Sequence, residues 1–295
     1  MQLTVPPSHV GRRLDALLHE LGPKLSRFDA RRLAEIGAVS VDGVRALPSE
    51  RVRAEQTVLV PEGTIAISLT LGMPVLYEDD DLIVLYKLPG LAVHPGTLIE
   101  DSVADRLTAH LAGAGLAQRL DRGSSGLLLV GKHKESLRAL AQAMESDRIA
   151  RHYLAVGVGE AQFTERTVDF PLLVTDEPRG DRPKVLVDAK HGQAATTHLQ
   201  VRASRNGATL FAVRLETGRT HQIRAHLRAI GHPLLGDPRY GDLAANQRAH
   251  ATHGIARPLL HADRLSFPQP TTGSTLVMQA WLEPDIARLF PTMRS

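Results

Sequence analysis

Leu14, Leu17, Leu18 and Leu21 recur at the i, i+3, i+4, i+7 spacing of an amphipathic helix, and Gly22-Pro23 ends it. Ser26 with Asp29 three residues later has the form of a capping box, and Phe28, Leu33 and Ile36 continue as a second helix expected to stop at Gly37. Val39 and Val41 lead into Asp42-Gly43, a strong type I′ turn signal, and Val44 follows. A strand at 58–60 closes this small unit. Residues 61–72, bracketed by Pro61-Glu62-Gly63 and Gly72-Met73-Pro74, read as a linker. Beyond it the texture changes. Residues 75–77 and 82–86 read as strands around an acidic turn, 102–111 as a helix opened by Ser102, and 127–130 as a buried strand. A helix at 135–144, strands at 153–158 and 210–215, and a helix at 220–230 closed by Gly231 complete the set. Strands outnumber helices without alternating regularly, so the expected fold is α+β with a mixed, mainly antiparallel sheet. The division expected is 1–60, a linker at 61–72, and a larger domain at 73–295.

Composition narrows the class. Hydrophobic residues are 43% of 295, enough for a sizeable core. No apolar run approaches the roughly 20 residues that span a bilayer. Residues 1–7 lack the basic and apolar stretches of a secretory signal, so a cytoplasmic protein is expected. The absence of cysteine excludes disulfide scaffolds, zinc ribbons and thiol nucleophiles. Net charge is only +3, yet 29 of the 35 basic residues are arginine, the side chain suited to phosphate and to stacking on bases. Arg12, Arg13, Lys24, Arg27, Arg31 and Arg32 lie on the first two helices, where they form either a solvated face or a phosphate-tracking patch. The order of two short helices and a hairpin resembles the S4 RNA-binding domain, which favours the patch.

Several common motifs fail. Residues 126–132 have phosphate-loop spacing, but His133 stands where Ser or Thr is required and four aliphatics fill the loop. Residues 123–126 are one short of a nucleophile elbow. His221 and His226 are five apart, about 140° around a helix, so no metal site is expected. Two segments resist a bland reading. In Gln118-Arg119-Leu120-Asp121-Arg122-Gly123-Ser124-Ser125-Gly126 a carboxylate stands between two guanidiniums at the entrance to a buried strand. In Gly218-Arg219-Thr220-His221-Gln222-Ile223-Arg224 a strand end bends into a helix, with Arg224 and Arg228 expected on the face opposite Ile223 and Leu227. From 202 to 228 six arginines face one acid, Glu216, which suggests an anionic partner.

At these residues the chain resembles the RluA family of pseudouridine synthases, in the S4-bearing branch that modifies large-subunit ribosomal RNA. The family segment His-Arg-Leu-Asp-Arg-x-Thr-Ser-Gly is similar to 118–126, with Gln118 in place of His and Ser124 in place of Thr. The resemblance continues through 77–96, where Leu88-Pro89 stands in place of a leading Pro, and through Tyr153-Leu154-Ala155, 218–224, 231–241 and Leu260-His261-Ala262. It implies that uridines in RNA are isomerised without cofactor or metal, after the base leaves its stack. Asp121 is the implied nucleophile, by addition to the uracil ring or by attack at ribose C1′. Arg224 is implied to pair with Asp121 and keep it ionised, Tyr153 to stack on the flipped base, Leu260 to floor the pocket, and Arg119 to fill the gap left in the RNA. Arg122, Arg219, His221 and Gln222 are the remaining implied substrate-binding residues. The implied partner is 23S ribosomal RNA or a pre-ribosomal particle, engaged by a monomer with no membrane association. The contrasting reading is an RNA-binding or assembly protein that keeps the fold and has lost catalysis.

Overall fold

The computed structural model describes residues 1–96, 99–175 and 184–293, which form two compact units, Met1–Arg148 with Phe267–Ser295 and Ile149–Ser266.

The first unit opens with β1 (Gln2–Thr4), α1 (Leu14–Leu21), α2 (Arg27–Glu35), β2 (Ser40–Val41), β3 (Val44–Arg45) and β4 (Thr57–Leu59). The strands form a sheet in the order β1-β4-β2-β3. The expected cap is present, the Asp29 backbone N–H donating to Ser26 Oγ at 3.0 Å. Asp42 and Gly43 both take positive φ, 50° and 72°, as a type I′ turn requires. Leu14, Leu17, Leu18, Ala30, Leu33, Val39 and Val58 are fully buried and make the core.

Phe28 is 68% exposed, because Ala30, Leu33 and Ala34 already fill the inner face of α2. One expectation is corrected here, for residues 61–72. These are not a structureless linker. They hold a 3₁₀ turn (Glu62–Thr64) and α3 (Ile65–Leu71), whose Ile65 and Leu69 pack on the core just described. The glycine read as a breaker is the cap of this helix, Gly72 at φ 60°.

The unit continues with β5 (Val75–Glu78), β6 (Leu82–Lys87), α4 (Val103–His110), β7 (Gly115–Leu116), β8 (Ser125–Gly131) and α5 (Lys134–Glu145). β6 pairs antiparallel with β5 and β8, and β7 with β8. Every residue of β6 and β8 is buried, which explains unbroken apolar runs where a half-exposed strand would alternate.

The second unit comprises β9 (Ala150–Val158), β10 (Glu165–Val168), β11 (Leu172–Thr175), β12 (Lys184–Val187), β13 (Thr197–Arg205), β14 (Ala208–Leu215), α6 (Gln222–Ala229), α7 (Leu243–His253) and β15 (Leu260–Pro268). Its strands run in the order β10-β13-β14-β9-β15, with β11-β12 a separate ribbon. These pairings are antiparallel, and the fold class is mixed α+β as expected.

The chain then returns to the first unit with β16 (Thr275–Gln279) and α8 (Pro284–Leu289). Here Leu282 exchanges backbone hydrogen bonds with the hairpin, its N–H to Gly43 and its carbonyl from Arg45, each at 2.9 Å. Glu283, 1% exposed, accepts from Arg45 Nη2 at 3.1 Å and from the Tyr86 hydroxyl. The S4-like segment is thus fastened to the rest of its own unit by a buried ion pair.

Candidate active site

In the first unit Asp121 sits half-buried on a turn closed by the Ser124 N–H donating to the Asp121 carbonyl at 3.0 Å. Gly126, at φ 109°, lets the chain pass from that turn straight into β8. The turn is held from below. Arg122 Nε donates to the Gly90 carbonyl at 2.9 Å, and the Gly90 N–H returns a bond to the Arg122 carbonyl at 2.8 Å. Lys87, wholly buried, donates from Nζ to the carbonyls of Leu88, Leu91 and Arg122 at 3.0, 3.0 and 3.2 Å. A desolvated ammonium on three carbonyls ties segment 87–91 to the Asp121 turn. Gln118 bonds the Leu127 carbonyl at 3.3 Å, while Arg119 and Arg122 are exposed. A carboxylate held by its backbone, with two exposed guanidiniums beside it, is suited to act as a nucleophile toward a polyanionic substrate.

In the second unit β9 and β15 place Tyr153 and Leu260 on one face. Tyr153 pairs with Ala262, Ala155 pairs with Leu260, and residues directly opposed across a pair share a face. Both are buried, at 7% and 5% exposed. Arg151, two residues from Tyr153 and on the same side, is also buried; its Nη2 reaches the Glu216 carbonyl at 3.4 Å. Gly218 makes room for it, since a Cβ there would lie 2.6 Å from Arg151 Nη1. Asp263 is the extra residue of a bulge in β15, between Ala262 opposite Tyr153 and Arg264 opposite His152. Burial pushes its carboxyl up to about 6, against the opposing pull of Arg264 and Arg202.

The loop into α6 is built from internal bonds. Gln222 is 2% exposed; its Oε1 accepts from Thr217 Oγ1 at 2.7 Å and from the Arg219 N–H at 3.0 Å. Its Nε2 donates to the Thr196 carbonyl and to Thr197 Oγ1, both at 2.9 Å. Both polar ends of Gln222 are thereby committed to shaping the loop. His221 takes a left-handed φ of 51° at the N-cap of α6, with Nδ1 2.9 Å from the Tyr240 hydroxyl. Arg219 is exposed, with Nε on the Ala194 carbonyl at 3.1 Å.

Arg224 is 7% exposed. Its Nε and Nη2 donate to the two oxygens of Asp237 at 2.7 and 2.8 Å, and its guanidinium lies 4.8 Å from the centre of the Tyr240 ring. Burial alone would raise the Asp237 carboxyl. The Arg224 fork and the N–H groups of Arg239 and Tyr240 outweigh it and hold the group below the usual carboxylate range. Arg228, one turn on, is exposed. Sequence reasoning quoted Asp237 and Tyr240 only as parts of a loop motif. The signal for Asp237 was an acid in a Gly-Asp-Pro-Arg-Tyr-Gly turn soon after an arginine-bearing helix.

On the S4-like segment Arg12 pairs with Glu20, Arg13 with Asp15 at 2.6 Å and Arg31 with Glu35 at 2.7 Å, all near the surface. Arg32 reaches the Leu69 carbonyl at 3.3 Å, and Arg27 is exposed with no ion pair among the described residues. Surface pairs of this kind are worth at most about 1 kcal/mol, so phosphates can compete for these guanidiniums.

A family described as RNA pseudouridylate synthase matches residues 81–229, and the S4 domain matches 12–58. The chain is 35% identical to ribosomal large subunit pseudouridine synthase D of Xanthomonas campestris pv. campestris, over 99% of this chain and 92% of that one. It is 31% identical to ribosomal large subunit pseudouridine synthase C of Salmonella typhi, over 99% and 96%. Among solved structures, human RNA pseudouridylate synthase domain containing 4 is similar in fold, with a TM-score of 0.59 at 24% identity over 77% of this chain and 97% of that one. No helix among the described residues is long and apolar enough to cross a membrane. The chain belongs to the RNA pseudouridylate synthase family, isomerases of uridine in RNA, and carries an S4 domain at its N-terminal end.

Proposed function

We propose that this protein converts uridine to pseudouridine in large-subunit ribosomal RNA. The observation that carries the reading is full-length kinship with two enzymes named for that substrate, in a chain that keeps the Asp121 turn. In the reaction the N1–C1′ bond breaks, a C5–C1′ bond forms, C5 loses its proton and N1 gains one. Asp121 is the nucleophile, whether it adds to the uracil ring or attacks C1′. Arg224, held by the Asp237 carboxylate, contributes its guanidinium to the reaction. Tyr153 stacks on the extruded base and Leu260 floors its pocket. Arg119 is exposed, as a residue that enters the vacated stack must be. Arg122 and Arg219 meet the backbone, while His221 and Gln222 act by holding the loop. Arg12, Arg13, Arg27, Arg31 and Arg32 track phosphates around the target. The enzyme acts as a monomer in the cytoplasm and needs no cofactor.

The test is pseudouridine mapping of ribosomal RNA from cells with the wild-type gene, without it, and with Asp121→Asn. Loss of the same large-subunit site in the second and third, with the RNA affinity of the variant nearly intact, is the expected result. Full modification by Asp121→Asn would remove the nucleophile assignment, and loss of sites only in another RNA would remove the substrate.

A further inference from the structure

One exposed side chain in the S4-like segment is not explained by phosphate tracking. Phe28 is 68% exposed and is the one aromatic among the exposed large apolar side chains of the described residues. It makes no ring or cation–π contact there. A single exposed apolar side chain is ordinary; its surroundings set this one apart. At the second position of α2 its neighbours one turn on are Arg31 and Arg32, with Arg27 beside it. Lys24 and Arg27 are exposed, and the Arg31 side chain is 64% exposed. The nearby acids are occupied, Glu35 by Arg31 and Asp29 by the Ser26 hydroxyl at 2.7 Å. A protein partner would favour further apolar contact around the ring. A polyanion with flat, stackable groups fits an aromatic ring in a cationic surround.

We propose that Phe28 is a stacking platform for an unpaired base of the RNA, with Arg27 and Arg31 holding the phosphates on either side of that base. The proposal rests on the RNA reading above and sharpens it: the S4-like segment grips a junction where bases are unstacked rather than a continuous duplex. Base stacking on an aromatic side chain tolerates any base, so the site adds affinity for single-stranded geometry without adding a sequence code.

The test uses full-length wild type, F28L, F28A and F28W, with unstructured oligoadenylate and a blunt RNA duplex of the same length as probes. F28L keeps an apolar side chain and loses the ring. It is expected to bind oligoadenylate about tenfold more weakly, with unchanged duplex affinity and an unchanged salt slope. F28A should match F28L, whereas F28W should bind oligoadenylate at least as well as wild type. The indole introduced by F28W should also be quenched on binding, over the background of the one native tryptophan, buried Trp281. Oligoadenylate affinity of F28L equal to wild type would overturn the proposal, as would an equal loss on both probes. Wild-type protein that binds neither probe would remove the RNA reading itself, and the platform with it.

Discussion

Arg224 shows how much of one residue's setting lies outside its own helix. The helical spacing places it opposite Ile223 and Leu227, and there it is buried with a bidentate carboxylate partner 13 residues further on. Helical periodicity says which residues share a face; it does not say what a following loop folds back to cover. Asp237→Asn would remove the bidentate carboxylate from a buried guanidinium, and urea unfolding should show a loss of about 3 kcal/mol. Activity should fall with it, and an unchanged unfolding midpoint would contradict this account. Asp263 carries the opposite sign. Its carboxyl is raised from 3.8 to about 6 in the folded state, so the native protein holds more protons than the unfolded chain between those values. Stability is therefore expected to fall as pH rises through that window. Asp263→Asn should stabilise the protein at pH 7.5 by up to about 2 kcal/mol, and the gain should vanish near pH 4. Unfolding curves at both pH values check it.

At the level of elements, the long periodic segments were legible: α1, α2, α4, α5 and α6 fall where apolar spacing and Ser caps place them. What escaped notice was short or bracketed by misleading residues. β1 is three residues, Gln2–Thr4, too short to show alternation, and exists because β4 offers it an edge. β10, β11 and β12 have four residues each, too short to show a pattern, and β10 pairs with β13 across the intervening ribbon. α3 was concealed by Pro61, Gly63 and Gly72, which flank a helix as readily as they mark a linker. The site was legible in the same uneven way. Asp121, Tyr153 and Leu260 stand out by motif, whereas the carbonyl cradle around Lys87 is a matter of backbone geometry that no spacing encodes. Ile65→Ala and Leu69→Ala should each cost about 1–2 kcal/mol if α3 belongs to the core of the S4-like segment. Thermal melts of the full chain read this directly, and a linker would give no change.

For the whole molecule, the Arg45–Glu283 tie alters how the S4-like segment can be studied. Cutting the chain near residue 60 would strip Glu283 of its guanidinium, so a truncated protein would report broken packing along with lost RNA contacts. Reversing surface charge avoids this. Arg27→Glu with Arg31→Glu should weaken RNA binding and reduce its salt slope by roughly two, at an unchanged melting temperature. Glu283→Ala, by contrast, should cost about 3–5 kcal/mol by leaving Arg45 buried and unpaired. The same tie constrains the order of events during synthesis. Its partners are 238 residues apart, and the whole of the second unit is made between them. At about 5–20 residues per second, the ribosome needs about 12–50 s to travel from one to the other. Through that interval the N-terminal segment has emerged with its last fastening missing, while residues 149–266 are free to collapse first. The first part of the chain to be born is therefore among the last to be finished, and its arginine-rich surface meets a cell full of RNA before the fold beneath it is locked.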